Sequence, residues 1–115
     1  MKVKVSEATG PVLDWMVAKA LGASDDTLES YVDGLREAGD GDYSTDWSQG
    51  GPIIEREGGT LWATNASGWR CKARYDYLKD TEGPTMEGPT LLIAAMRCYV
   101  ASKLGDEVEV PDELI

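Results

Sequence analysis

The fold class is decided by Trp69-Arg70-Cys71-Lys72-Ala73-Arg74-Tyr75-Asp76-Tyr77, together with Thr60-Leu61-Trp62-Ala63-Thr64 and the connecting Asn65-Ala66-Ser67-Gly68. Alternation of period two runs through all nine residues of the later segment, which predicts a β-hairpin with strands near 60–64 and 69–77. Pairing Asn65 with Gly68 sets Trp62 opposite Cys71 and Thr64 opposite Trp69. One face then carries Trp62, Trp69, Cys71, Ala73, Tyr75 and Tyr77 and should point inward. The other face carries Arg70, Lys72 and Arg74.

Working outward, a Gly/Pro/Thr-rich loop is expected from Thr81 to Gly88. A helix near 89–104 follows, apolar almost all round and interrupted only by Thr90, Arg97, Ser102 and Lys103, which marks burial on most of its circumference. Gly105 closes it, and a last strand is expected near 107–110. Upstream, Lys2-Val3-Lys4-Val5 reads as a strand near 2–5. Helices are expected near 10–21 (capped by Thr9, with Pro11 in its first turn) and near 25–38. The second of these sets Leu28, Tyr31, Val32, Leu35 and Ala38 inward and Asp25, Glu29, Asp33 and Glu37 outward. Gly34 inside it should cost about 1 kcal/mol. A further helical segment is expected near 46–57. Ser44, Thr45 and Asp46 all offer caps, and Gly50-Gly51-Pro52 should break the helix so that it restarts at Pro52. The two terminal strands should be neighbours, with valines inside and opposite charges facing outside. The expected fold is α+β: one domain over 1–115, with a small antiparallel sheet packed by helices.

Composition narrows the function. The 115 residues hold 21 Asp+Glu against 11 Lys+Arg, a formal charge of −10, and no His. Without His there is no Ser-His or Cys-His nucleophile and no imidazole metal site. The negative balance argues against duplex DNA as a partner, because DNA binding needs a basic footprint. No apolar run approaches the roughly 18 residues of a membrane span, and the opening residues do not resemble a signal peptide. Two Cys in that context read as reduced thiols, and a cytoplasmic location in a host bacterial cell is expected.

Candidate sites are few. Asp40-Gly41-Asp42-Tyr43-Ser44 resembles the front of a calcium loop, but Thr45 and Gly51 occupy the positions that need Gly and a bidentate Glu. A polar turn is the better reading, and neither a metal nor a cofactor is expected. Cys71 and Cys98 should be buried small hydrophobes. The basic run Arg70, Lys72, Arg74 could hold a phosphate through guanidinium forks, or could be covered by Glu29, Asp33 and Glu37. Arg97, set mid-helix among core residues, needs an acidic partner such as Asp46, Glu55 or Glu57, or else opens into a cleft for an anionic ligand. Trp47, beside the Gly-Gly-Pro turn, is the aromatic best placed for recognition.

Three segments carry a resemblance: Tyr43-Ser44-Thr45-Asp46-Trp47, Gly50-Gly51-Pro52-Ile53-Ile54-Glu55-Arg56-Glu57, and Leu92-Ile93-Ala94-Ala95-Met96-Arg97-Cys98-Tyr99-Val100-Ala101-Ser102. With the opening Lys-Val-Lys-Val and closing Gly105-Asp106-Glu107-Val108-Glu109-Val110-Pro111, they resemble the NinX-like family of small phage and prophage proteins. They are also similar to a phage α-β-α sandwich domain. The likeness covers most of the chain apart from residues 23–42 and 79–88. It implies a phage accessory protein acting on the host, as in counter-defence, and supplies no catalytic residues. Two binding functions are therefore expected ahead of an enzyme. One is protein-directed, with Asp25, Glu29, Asp33 and Glu37 presented to a host protein. The other is an oligomeric sponge, in which Trp47, Arg70, Arg74 and Arg97 hold a small anionic, nucleotide-like ligand.

Overall fold

The computed structural model describes residues 1–34, 41–64 and 68–115. Among them the elements run β1 (Lys2–Lys4), α1 (Gly10–Ala20), α2 (Asp25–Asp33), α3 (Trp47–Glu57), β2 (Thr60–Ala63), β3 (Trp69–Lys72), β4 (Thr85–Gly88), α4 (Leu91–Leu104) and β5 (Glu107–Glu109). The fold is α+β, as expected. Its strands form two antiparallel sheets rather than one: β1 with β5, and β2-β3-β4. None of the described helices is long and apolar enough to cross a membrane.

The terminal strands meet in the expected register. Lys2 faces Glu109, Val3 faces Val108 and Lys4 faces Glu107, so charge opposes charge on the outer face. Helix α4 is the centre of the molecule. Thr90 caps it by accepting the Ile93 N–H at 3.1 Å, and the run from Ala94 to Ser102 is buried throughout. The helix is apolar all round because α1, α3 and the three-stranded sheet each take one of its sides. The inner faces of α1 (Leu13, Met16, Val17) and α4 (Met96, Val100) supply most of the fully buried side chains.

Several expectations need correction. Strand β3 stops at Lys72 instead of reaching Tyr77. Asp76 ends the alternation: its Oδ1 accepts the N–H groups of Leu78 and Lys79, both at 2.9 Å, and builds a turn where a strand was expected. Tyr75 and Tyr77 are consequently exposed. The supposed loop over 81–88 contains β4, paired to β3 with Cys71 facing Met86 and Arg70 facing Glu87.

The hairpin register is shifted by one residue. Thr64 donates its N–H to the Gly68 carbonyl at 2.9 Å, so Leu61 rather than Trp62 faces Cys71, and Trp62 faces Arg70. Ala66-Ser67 lacks the residues that a two-residue hairpin turn needs at positive φ, which favours the longer connection. Because side chains alternate across a strand, this one step moves Trp62 from the inner face to the outer. The predicted turn residues Asn65, Ala66 and Ser67 lie outside the described residues.

Helix α3 runs through Gly50-Gly51-Pro52 without restarting at Pro52. Asp46 caps it, accepting the Ser48 N–H at 2.9 Å. Pro52 deprives only the Ser48 carbonyl of a donor, near the helix start where a missing bond costs least. In α2, Ser24 is the cap, and Gly34 adopts a left-handed φ of 76° that closes the helix at Asp33. Gly34 is thus a terminator, not an interior residue. Residues 35–38 of the expected helix, Glu37 included, lie outside the described residues.

Candidate functional site

The two ends of the β2-β3-β4 sheet each border a cavity. The first is an open cleft of about 820 Å3, where the ends of β2 and β4 and the start of β3 meet Ser6 and Arg97. Helix α4 projects Arg97 from the core towards this end, and only 7% of the residue is exposed. Its Nε donates to the Ala8 carbonyl at 2.9 Å, and one Nη donates to the Glu87 carbonyl at 2.8 Å. No carboxylate pairs with it among the described residues. The expected partners Asp46, Glu55 and Glu57 are not used. Burial alone pushes its pKa down. The cation is held by two neutral carbonyl dipoles, and the other N–H donors of its fork remain available.

Glu87 connects Arg97 to the basic strand. While its carbonyl takes Arg97, its carboxylate forms an exposed ion pair with Arg70 across the β3–β4 ladder. Such exposed pairs contribute little to stability, so Arg70 can exchange Glu87 for another anion at small cost. Trp62, paired across the ladder with Arg70, and Trp69 add aromatic walls. The charged residues lining the cleft are Arg70, Arg97 and Glu87, a local balance of +1 on a chain of −10.

Only part of the sequence-derived set converges here. Arg70 and Arg97 share the cleft. Arg74 lies beyond the end of β3 and faces the other cavity, while Trp47 stands exposed at the start of α3 and lines neither. Of the acids expected over the basic strand, Glu29 and Asp33 are elsewhere, because α2 packs on α1 and on the C-terminal turn; Glu37 lies outside the described residues. Carboxylates do reach that strand, but they belong to Glu87 and Glu82, the latter 2.5 Å from Lys72 Nζ. Asp25, Glu29 and Asp33 are exposed on α2.

The second cavity, about 360 Å3, lies between the C-terminal half of α3, the end of β3 and α4. Its lining is mixed: Ile53, Ala95 and Met96 contribute apolar surface, Tyr75, Tyr77 and Tyr99 contribute rings, and Arg56, Glu57 and Arg74 contribute charge. Tyr77 donates its hydroxyl to Glu57 at 3.1 Å, and this bond raises its pKa; burial raises that of Tyr99. Lys103 Nζ sits 3.8 Å from the Tyr77 ring centroid.

Cys71 and Cys98 also border this cavity and are buried, as the sequence suggests. Cys98 donates its thiol to the carbonyls of Cys71 and Pro84 at 3.1 and 3.2 Å. Contact with the Cys71 side chain, reinforced by burial, pushes the Cys98 thiol far above its ordinary range. Sequence reasoning missed Glu87, hidden in a segment read as loop, and the outward-facing role of Trp62. It also missed Asp14, 3% exposed, which accepts the Ser44 N–H at 2.8 Å and fixes the approach to α3. A carboxylate between Leu13 and Trp15 on an apolar helix was the available signal.

A family model described as Bacteriophage P22, NinX matches residues 4–103, in agreement with the resemblance drawn from the sequence. No curated protein matches the chain.

Proposed function

We propose, from the premise that the chain belongs to the Bacteriophage P22 NinX family, that it is a non-enzymatic phage accessory protein that binds a small anionic, nucleotide-like ligand between Arg97, Arg70 and Trp62. The observation behind this reading is Arg97. A buried guanidinium normally requires a carboxylate, because desolvating the charge costs several kcal/mol. Here two carbonyls orient the fork and leave its charge unneutralised beside a cleft. A phosphate supplies the missing negative charge with matching bidentate geometry, and the tryptophans offer a face for a base.

The test is a thermal-shift panel of inorganic phosphate, mononucleotides and cyclic nucleotides. A ligand present at about 100 times its Kd adds about 2.7 kcal/mol, which on a chain of this size is roughly 10 °C. The shift should disappear in Arg97→Met. No shift with any member of the panel, or an undiminished shift in Arg97→Met, would overturn the reading.

A protein-directed acidic surface is the second reading. It is supported by the exposed Asp25, Glu29 and Asp33 on a helix that the basic strand does not cover. Host-lysate capture by the wild type, lost in an Asp25→Lys/Glu29→Lys variant that still ignores nucleotides, would favour it over the ligand cleft.

A further inference from the structure

We propose that the cavity between α3, α4 and β3 is a second small-molecule site, which takes a flat aromatic compound carrying one acidic group. Small-ligand sites begin at about 300 Å3 and combine apolar and aromatic surface with a few converging polar groups. At about 360 Å3, with an aliphatic floor of Ile53, Ala95 and Met96, this cavity falls within the ligand range.

Its walls are fixed before any ligand arrives. The Tyr77 N–H donates to the Ser102 carbonyl at 2.9 Å, and the Tyr77 hydroxyl is tied to Glu57, so one ring is anchored at both ends. Tyr99 is held by Arg56, whose guanidinium carbon lies 5.9 Å from the ring centroid. Rings and aliphatic side chains line the cavity together, and a planar aromatic molecule offers flat apolar faces to both.

The charge at the mouth selects the acid. Arg56 is engaged by its neighbour Glu57 at 3.0 Å. Arg74 is exposed and has no acidic partner among the described residues, although the chain is rich in carboxylates. Its side chain lies across Gly58 at the end of α3, where an added Cβ would come within 2.9 Å of Cδ. The guanidinium is thereby placed over the mouth and lacks an anion, and a carboxylate or sulfonate on the bound ring would supply one.

Anilinonaphthalene sulfonate, a flat aromatic acid, is the probe. It should bind saturably with a blue-shifted emission. Arg74→Glu, at an exposed residue, should weaken binding about tenfold or more, the worth of a charge-assisted hydrogen bond. Ala95→Met, which reduces the cavity, should weaken it as well, and Lys19→Glu, the same change of charge at an exposed position on α1 outside both cavities, should leave it unchanged. Undiminished binding by Arg74→Glu, or an equal loss in Lys19→Glu, would each overturn the proposal. Since phosphate binding is read through Arg97, either site can fail without the other.

Discussion

Replacing Gly50 and Gly51 separately by alanine tests how α3 is seated. In an exposed helix each change would stabilise the protein by about 0.8–1 kcal/mol, the propensity difference between the residues. At Gly51 the added Cβ meets only the Trp47 ring, at 3.6 Å, an ordinary contact. Gly51→Ala should therefore gain most of that amount. At Gly50 the Cβ would stand 2.3 Å from the Tyr43 carbonyl oxygen and 2.7 Å from Leu92 Cδ1. Leu92 is buried, and the Tyr43 segment is held by Ser44 on Asp14 and by Gly41 and Asp42 on Gln49 Oε1. Relief requires separating helix and loop by about an ångström, and such overpacking costs about 1–3 kcal/mol. With the propensity gain subtracted, Gly50→Ala should lose up to about 2 kcal/mol. The two substitutions should differ by about 1–3 kcal/mol, roughly 4–12 °C in Tm. Urea titration followed by tryptophan fluorescence measures both. Equal effects, or a stabilised Gly50→Ala, would refute the close approach and with it the unbroken course of α3.

Trp62→Ala should cost about 1–2 kcal/mol, because Trp62 is on the outer face and 37% exposed, whereas Trp15→Ala should cost about 3–5 kcal/mol; denaturant titration of both variants checks the hairpin register. Glu87→Gln removes the carboxylate that competes for Arg70 while leaving the carbonyl that holds Arg97, so affinity for a phosphate ligand should rise several-fold by calorimetry. The Ser48 hydroxyl and N–H, with Gln49, hold the Asp46 carboxyl below its ordinary pKa. A depressed folded value means that the stabilisation is complete above the unfolded pKa and is lost as pH falls through the folded one. The stability difference between the wild type and Asp46→Asn, followed by chemical denaturation, should narrow between about pH 5 and pH 2.

The sequence made the terminal ribbon legible because one face of it is buried. Val3 and Val108 must share the inside, and the flanking Lys and Glu then fall opposite each other without further choice. The central helix was legible for a similar reason: an all-round apolar helix has to be surrounded. The hairpin had the same kind of alternation, yet its register depended on the length of the connection, and a one-residue difference exchanged Trp62 with Leu61 at the core. Asp76 shows a second limit. Its carboxylate holds the Leu78 and Lys79 N–H groups in a turn within the stretch whose alternation had predicted strand, and the turn carries the chain back to a strand that composition had marked as loop. Gly50 shows a third, because a glycine that breaks a helix and one that admits a neighbouring carbonyl look alike in the sequence.

The site was half legible for a related reason. An arginine inside an apolar helix announces itself, but its partners are backbone carbonyls, which any residue could supply and no pattern reveals. The overall charge was a poor guide to the site because field and contact act over different distances. At long range a chain of −10 repels an anion, and salt weakens that repulsion over a Debye length of about 10 Å at 0.1 M. At contact the cleft is +1 and Arg97 is 7% exposed, where screening is much weaker. Added salt therefore relieves the repulsion while it weakens the attraction of the exposed Arg70, and the two effects oppose each other. Phosphate-ligand affinity measured between about 50 mM and 200 mM salt should change by only a few-fold, against the losses of about 10³–10⁵ seen where basic surfaces bind nucleic acid. A steep loss with salt would show that exposed cations carry the binding, and would remove Arg97 from its central role.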